Sequence, residues 1–170
     1  MSYRLEILGL THEAAFLVSM DDYAANDAET TRANYPGKWT PAEFRKFVQV
    51  CEKGRHEWRP KANQISETRY VLIDDRGSIC ANGVMRFPLS EKIEASGGNL
   101  IFDVPPARRR QGFSALVLNR MLFEAVRAGL SRVLLTCAKK NKYAQSAIMK
   151  NRAQADGEFG GLLRFWINLR

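Results

Sequence analysis

The chain has 170 residues, 45% hydrophobic and 26% charged, which suits one globular domain with a sizeable core and leaves too little for two. Its formal net charge of +8 points to an acidic partner, whether nucleic acid, membrane surface or phosphorylated small molecule, without choosing among them. No apolar run approaches the roughly 18 residues of a membrane span, and the opening "MSYRLEILGL" lacks the apolar stretch of a secretory signal, so a cytoplasmic protein with no membrane partner is expected.

"YRLEIL" reads as a short strand. "THEAAFLVSMDDYAA" reads as a helix that Thr11 can cap, with Ala15, Phe16 and Met20 on its apolar face. In "TPAEFRKFVQVCEKG" the start is explicit: Thr40 is the N-cap, Pro41 opens the helix and Glu43 completes a capping box, while Phe44, Phe47, Val48 and Cys51 follow helical spacing. The segment from Gly54 to Glu67, with His56, Trp58 and Pro60, is polar and weakly patterned. "TRYVLID" and "SICANGVMRF" are β-rich runs around Asp75, Arg76 and Gly77, the chemistry of a hairpin turn, so these strands are expected to be antiparallel.

A polar loop, "PLSEKIEASGG", leads to a third strand, "NLIFDV". After the arginine run Arg108 to Arg110, a helix is expected from Phe113 to Ala128, with Ala115, Leu118, Met121, Leu122 and Ala125 inward and Asn119, Arg120, Glu124 and Arg127 outward. Gly129 ends it as a left-handed cap, and "RVLLTC" follows as a buried strand. Strand, helix and strand at this spacing predict a parallel, right-handed βαβ unit. A shorter helix, "NKYAQSAIMKN", and a last strand, "LLRFWINL", complete an α+β domain: a mixed, mostly antiparallel sheet with a central parallel βαβ crossover and flanking helices. Cys51, Cys80 and Cys137 fall in apolar patterns and read as buried thiols. With only His12 and His56 available, no metal site is expected.

The arginine run sits where a strand delivers the chain to a helix N-terminus, whose orphan N–H groups and dipole attract anions. Gly112 permits close approach of a ligand to the backbone, and arginines on that turn can add charge-assisted contacts to phosphate oxygens. Neither G-x-G-x-x-G nor G-x-x-x-x-G-K-[ST] is present, so dinucleotide-binding and P-loop sites are unsupported.

Arg109 to Ser114, R-R-Q-G-F-S, resembles the [QR]-x-x-G-x-[GA] signature of the GNAT acetyltransferase superfamily, and "NKYA" from Asn141 resembles the N-x-x-[AS] start of that family's next helix. "GGNLIFDVPPARRRQGF", "RVLLTCAKKN", "AIMKN" and "LLRFWINL" resemble one branch of bacterial GNAT proteins, over about Arg69 to Leu169. The resemblance implies one GNAT-like domain, with acceptor-side helices in residues 1–68 and the acetyl-CoA-binding core in 69–170. It also implies acetyl-CoA as co-substrate and a small-molecule or peptide amine as acceptor, and it is compatible with a homodimer.

By the same resemblance, Phe102, Val104, Arg109, Arg110, Gln111, Gly112, Phe113, Ser114 and Asn141 hold the cofactor. The Val104 N–H polarises the thioester carbonyl, and Arg108 either reaches the adenosine phosphate or is a surface residue. Ser114 stands in place of the usual glycine or alanine, Ile148 where many relatives carry a thiolate-protonating tyrosine, and Arg152 where glycine is common. Candidates for the proton route are Asp103, Glu91, Glu94 and Tyr143, with Asn99 near the water-orienting end of its strand. His56 has a suitable unperturbed pKa but nothing in the sequence to place it in a cleft. The expected activity is acetyl transfer to an amine by direct attack on the thioester. The alternatives are a non-catalytic acyl-CoA-binding or sensing module on the same fold, and a nucleic-acid binder. Charge alone favours the latter, and no aromatics alternate with basic residues along a strand as stacking would require.

Overall fold

The computed structural model describes residues 2–55, 65–95 and 97–169. Seven strands, β1 (Tyr3–Ile7), β2 (Ser66–Asp74), β3 (Ile79–Phe87), β4 (Leu100–Asp103), β5 (Arg132–Ala138), β6 (Gln154–Phe159) and β7 (Leu162–Asn168), form two sheets, β1-β2-β3-β4 and β5-β7-β6. The helices are α1 (Glu13–Asn26), α2 (Ala28–Asn34), α3 (Pro41–Gly54), α4 (Glu91–Ala95), α5 (Phe113–Arg127) and α6 (Lys142–Lys150). No helix among the described residues is long and apolar enough to cross a membrane.

The expected hairpin is present: β2 and β3 pair antiparallel around Asp75 to Gly77. The Thr40 cap of α3 is present as well, with the Glu43 N–H donating to Thr40 Oγ1 at 3.3 Å, but the expected capping box is corrected, because the Glu43 carboxylate takes the Thr40 hydroxyl and no bond to the Thr40 backbone N–H is shown. Gly129 ends α5 at φ +74°, with the Leu130 N–H reaching back to the Ala125 carbonyl. Two further expectations are corrected and two elements are added that the sequence pattern did not show. The first helix begins at Glu13 after a 3-10 turn over Leu10–His12, without a Thr11 cap. Residues 28–34 form a helix, and 91–95 interrupt the polar loop with another. Finally, Gln154–Phe159 adds a strand at the edge of the second sheet, where its residues are all exposed.

The parallel crossover is the main revision. β4 and β5 belong to different sheets, and every strand pair among the described residues is antiparallel. The two sheets meet at a single bridge, Gly98 with Leu135. Beside it the Asn99 N–H donates to the Leu134 carbonyl at 2.8 Å, while the Leu134 N–H donates to the Asn99 side-chain oxygen at 3.0 Å instead of to a strand carbonyl. Asn99 Nδ2 closes the joint on the Arg86 carbonyl at 2.9 Å. Beyond β4, Pro105 and Pro106 have no N–H to continue a ladder. The strands therefore touch at one end and splay at the other.

The first sheet is covered on both sides. Tyr70, Leu72, Met85 and Leu100 face α5 in a core shared with the second sheet through Val133, Leu135, Phe165 and Ile167. Val71, Ile73 and Ile79 face α1 and α3, where Phe16 gathers Tyr35, Trp39, Phe44 and Phe47 at centroid distances of 4.9–6.4 Å. Gly98 lies at φ +82°, and a Cβ there would fall on the Leu134 carbonyl, so the joint admits only glycine. Asn99→Ala is expected to cost about 2–4 kcal/mol in urea denaturation, because it strands the buried Leu134 N–H and Arg86 carbonyl while the strands around them remain.

Candidate functional site

Among the described residues four helices carry a capping side chain at the N-terminus: Asp27 accepts from the Thr30 N–H at 3.0 Å, Thr40 caps α3, Ser90 accepts from the Ile93 N–H at 3.4 Å before α4, and Asn141 accepts from the Ala144 N–H at 3.0 Å. Helix α5, 15 residues long, has none and no acidic residue in its first turn. Its N-cap is Gly112 at φ +86°, and a Cβ built there meets nothing within 4 Å. The positive end of the α5 dipole is thus left without a side-chain cap, with open space at the Gly112 Cβ position. An uncapped helix start of this kind can cradle an anion, and it follows the end of β4 and the turn at Pro105 and Pro106.

The arginines shape that cradle more than they line it. Arg108 reaches Asp74 at 3.5 Å. Arg109 Nε donates to the Val104 carbonyl at 3.1 Å, and its Nη2 pairs with Asp27. Burial alone would raise the Asp27 carboxyl, but the Arg109 guanidinium and the Thr30 N–H outweigh it and hold the group below its ordinary value. Two of the Arg109 donors thus brace the turn. Arg110, at φ +67°, stacks its guanidinium 4.7 Å from the Tyr143 ring centroid and donates to the Tyr143 hydroxyl, at the mouth of the cradle. Gln111 Nε2 returns to the Ala107 carbonyl at 3.2 Å. Phe113 is buried and anchors the helix start, while Ser114 is half-buried on the first turn.

On the other face of β4 lies a second feature. Asp103 Oδ1 accepts from the Tyr23 hydroxyl and from Asn82 Nδ2 at 3.0 Å; Oδ2 accepts from the Tyr35 hydroxyl at 2.8 Å. Burial raises the Asp103 carboxyl and wins over these three donors, leaving it above the ordinary carboxylate range. Burial and the Asp103 charge in turn push both phenols far up, so they stay protonated as donors. A carboxylate has about four lone-pair sites. Three are taken, and the carboxylate borders a cavity of about 190 Å³ together with Tyr35, Asn82, Arg69 and Arg86.

The expected site residues do not all converge. Val104, buried just past β4, lies between the cradle and the cavity, and Phe102 packs on the α5 side. The Asn99 side chain is committed to backbone on both sheets, which gives it the role of a strut rather than a holder of water. Tyr143 is on the arginine side and Asp103 on the α1 side. Glu94 pairs with Arg164 at 3.2 Å, Glu91 is exposed, and His56 lies outside the described residues. Ile148 is a core residue, and Asn141 is a helix cap. Sequence reasoning misses Tyr23, Tyr35, Asn82, Arg69 and Arg86. For the last two a signal exists: in "SETRY" Glu67 and Arg69 occupy alternate positions of a strand, and in "GVMRF" Arg86 is a lone charge in an otherwise apolar or small run.

No protein-family model matches the chain, and no curated protein matches it in sequence. Solved structures do match. A ribosomal L7/L12 alpha-N-protein acetyltransferase in complex with coenzyme A is 13% identical, with 99% of this chain and 94% of that one covered and a TM-score of 0.69. An N-acetyltransferase from Staphylococcus aureus Mu50 is 15% identical, with full coverage of both chains and a TM-score of 0.65. Mutant forms of a spermidine/spermine N-acetyltransferase from Vibrio cholerae are 15% identical, covering 99% and 95%, at a TM-score of 0.63. With two splayed antiparallel sheets and an uncapped helix at their opening, this chain has the GNAT fold of those N-acetyltransferases along essentially its whole length.

Proposed function

We propose that the chain is an acetyl-CoA-dependent N-acetyltransferase that moves an acetyl group to an amine. The observation that carries this reading is the uncapped N-terminus of α5 at the splay of the two sheets, open at Gly112 and free of acidic residues. The backbone N–H groups from Gln111 to Ser114 would hold a pyrophosphate there, Arg110 and Tyr143 would border it, and the Arg109–Asp27 pair keeps the turn in shape. Bound acetyl-CoA supplies an activated acyl thioester. The Val104 N–H takes the task of polarising its carbonyl, and Asp103 that of receiving the proton of the acceptor amine. A carboxyl raised above its ordinary value is a better proton acceptor than a normal one, and the phenols of Tyr23 and Tyr35 hold it in one orientation.

A binding-only module is the second reading, favoured by the burial of Ile148, which leaves Tyr143, on the arginine side, as the phenol of α6. Acetyl transfer from acetyl-CoA to any amine, followed by product mass, decides between them.

Coenzyme A at about a hundredfold excess over its Kd is expected to stabilise the protein by about 2.7 kcal/mol, read as a rise in Tm. Gly112→Asp, which adds a like charge where phosphate must approach the backbone, is expected to lower coenzyme A affinity at least about tenfold by calorimetry, a loss of about 1.4 kcal/mol. Arg127→Ala, on the exposed face of the same helix, leaves the affinity unchanged.

Asp103→Asn is expected to lower kcat by about a hundred- to ten-thousandfold. The base works ionised, so native activity falls as pH drops through the Asp103 pKa. Because burial raises that pKa, the acid limb lies above the ordinary aspartate value of about 3.9. A pH profile in which Asp103→Asn retains the native acid limb would remove Asp103 from this role.

A further inference from the structure

The two phenols that hold Asp103 hang from one residue. Between α1 and α2 the chain has a single non-helical position, Asp27, at φ −152° and ψ 71°. The Asp27 N–H donates to the Tyr23 carbonyl at 2.8 Å, which ties it to the residue whose hydroxyl donates to Asp103 Oδ1. In the other direction the Thr31 N–H donates to the Asp27 carbonyl at 3.0 Å and the Tyr35 N–H to the Thr31 carbonyl at 2.9 Å, which carries the chain to the second hydroxyl, on Oδ2. The corner has two soft dihedrals of its own, and the Thr30 N–H, which in a continuous helix would bond the Asn26 carbonyl, goes to the Asp27 side chain instead. The angle at Asp27 therefore decides where both hydroxyls fall.

The Asp27 side chain is what fixes that angle. Oδ1 accepts from the Thr30 N–H at 3.0 Å, and Oδ2 accepts from the Thr30 hydroxyl at 2.8 Å and pairs with Arg109 Nη2. The same guanidinium donates through Nε to the carbonyl of Val104, the residue next to Asp103. The contacts close a ring: Asp103 to Tyr23, Tyr23 to Asp27, Asp27 to Arg109, Arg109 to Val104, and back to Asp103 along the backbone. Asp22, also on α1, accepts from the Ala107 N–H at 2.8 Å and fastens that helix to the same turn. With the Arg109 side chain 43% exposed, the ion pair adds little to stability by charge alone, and its consequence is geometric.

We propose that the Arg109–Asp27 pair is the positioning device of the proton acceptor: it sets the corner between α1 and α2, and through Tyr23 and Tyr35 it holds the Asp103 carboxylate in one orientation beside Val104. This rests on the acetyl-transfer reading above and extends it, because an arginine of the turn before α5 then governs the base on the α1 side. Neither member of the pair touches the reacting atoms. Three hydrogen-bond donors, Tyr23, Tyr35 and Asn82, favour the ionised Asp103 against burial. The charged groups around it are Arg109 from the turn and Glu67, Arg69 and Arg86 along the cavity. A loosened corner weakens the two phenol donors, so Asp103 keeps its proton to higher pH.

The test is a carbon NMR titration of the full chain labelled at its aspartate carboxyls, the Asp103 signal being assigned by its loss in Asp103→Asn. It needs no turnover. Arg109→Lys keeps the charge, but one ammonium cannot span the Val104 carbonyl and Asp27 as the fork does. In that variant the Asp103 midpoint is expected to rise by at least about half a pH unit, a threefold change in proton affinity. With saturating acetyl-CoA and acceptor, kcat is expected to fall about ten- to a hundredfold. Tyr35→Phe removes one donor outright and moves the midpoint the same way, and the two changes together are expected to move it by less than their sum. Arg109→Gln is a second variant, whose lost fork and lost charge both act upward. A midpoint that rises in Arg109→Gln but stays native in Arg109→Lys would assign the effect to charge and overturn the proposal, as would strictly additive shifts in Arg109→Lys and Tyr35→Phe. A weaker coenzyme A affinity in Arg109→Lys with native midpoint and native kcat would reduce Arg109 to a brace of its own turn and overturn it too. The expected midpoint shifts without acetyl transfer to any amine would overturn the acetyl-transfer reading and leave the positioning of Asp103 standing.

Discussion

Everything functional in this protein depends on the way two sheets are pinned at one end. The Asn99 side chain bonds the backbone of β3 on one side and of β5 on the other, and Gly98 lets the two strands approach where any Cβ would collide with the Leu134 carbonyl. A continuous parallel ladder would close the gap between β4 and β5 along its length. A single pin instead makes a wedge, and the wedge opens where β4 ends, at Val104 and the two prolines. The start of α5 can therefore stay uncapped and open.

β4 partitions the site by the alternation of a strand. Leu100 and Phe102 face the α5 core, while Ile101 and Asp103 face the α1 side. The α5 N-terminus and the half-buried Asp103 carboxylate are thus kept on opposite faces of these four residues, so the positive end of a helix dipole and a negative charge stay apart. Val104, at the end of the strand, is where both faces meet.

Several signals are legible in the sequence because their physics is local. The Thr40 cap of α3, the Gly129 stop and the hairpin at Asp75 to Gly77 each involve residues within a few positions of one another. The joint could not be read this way: the partners of Asn99 lie 13 and 35 residues away, and nothing near "GGN" announces them. Asp103 was identifiable as a titratable group on the right strand, but the tyrosines that govern it are 80 and 68 residues distant, one of them next to a helix the sequence pattern did not show. The parallel crossover was a sound inference from strand, helix and strand. It failed because a side-chain amide took a hydrogen bond that the rule assigns to the main chain. Arg152 sits at φ +60°, where glycine is the comfortable occupant, and nothing in the structure explains the arginine there.

Asp27 serves two masters. Its carboxylate closes the N-terminus of α2 on the Thr30 N–H and also takes the guanidinium of Arg109 from the turn before α5. An ordinary ion pair is symmetric in charge, and exchanging its two members often preserves it. This one is not symmetric, because a helix N-terminus accepts only an oxygen. Arginine at position 27 would meet the wrong end of the α2 dipole, and aspartate at position 109 would put a negative charge beside the Val104 carbonyl. The two positions are thus locked in one polarity, and over evolutionary time they are free to change only toward other oxygen acceptors at 27 and other cations at 109.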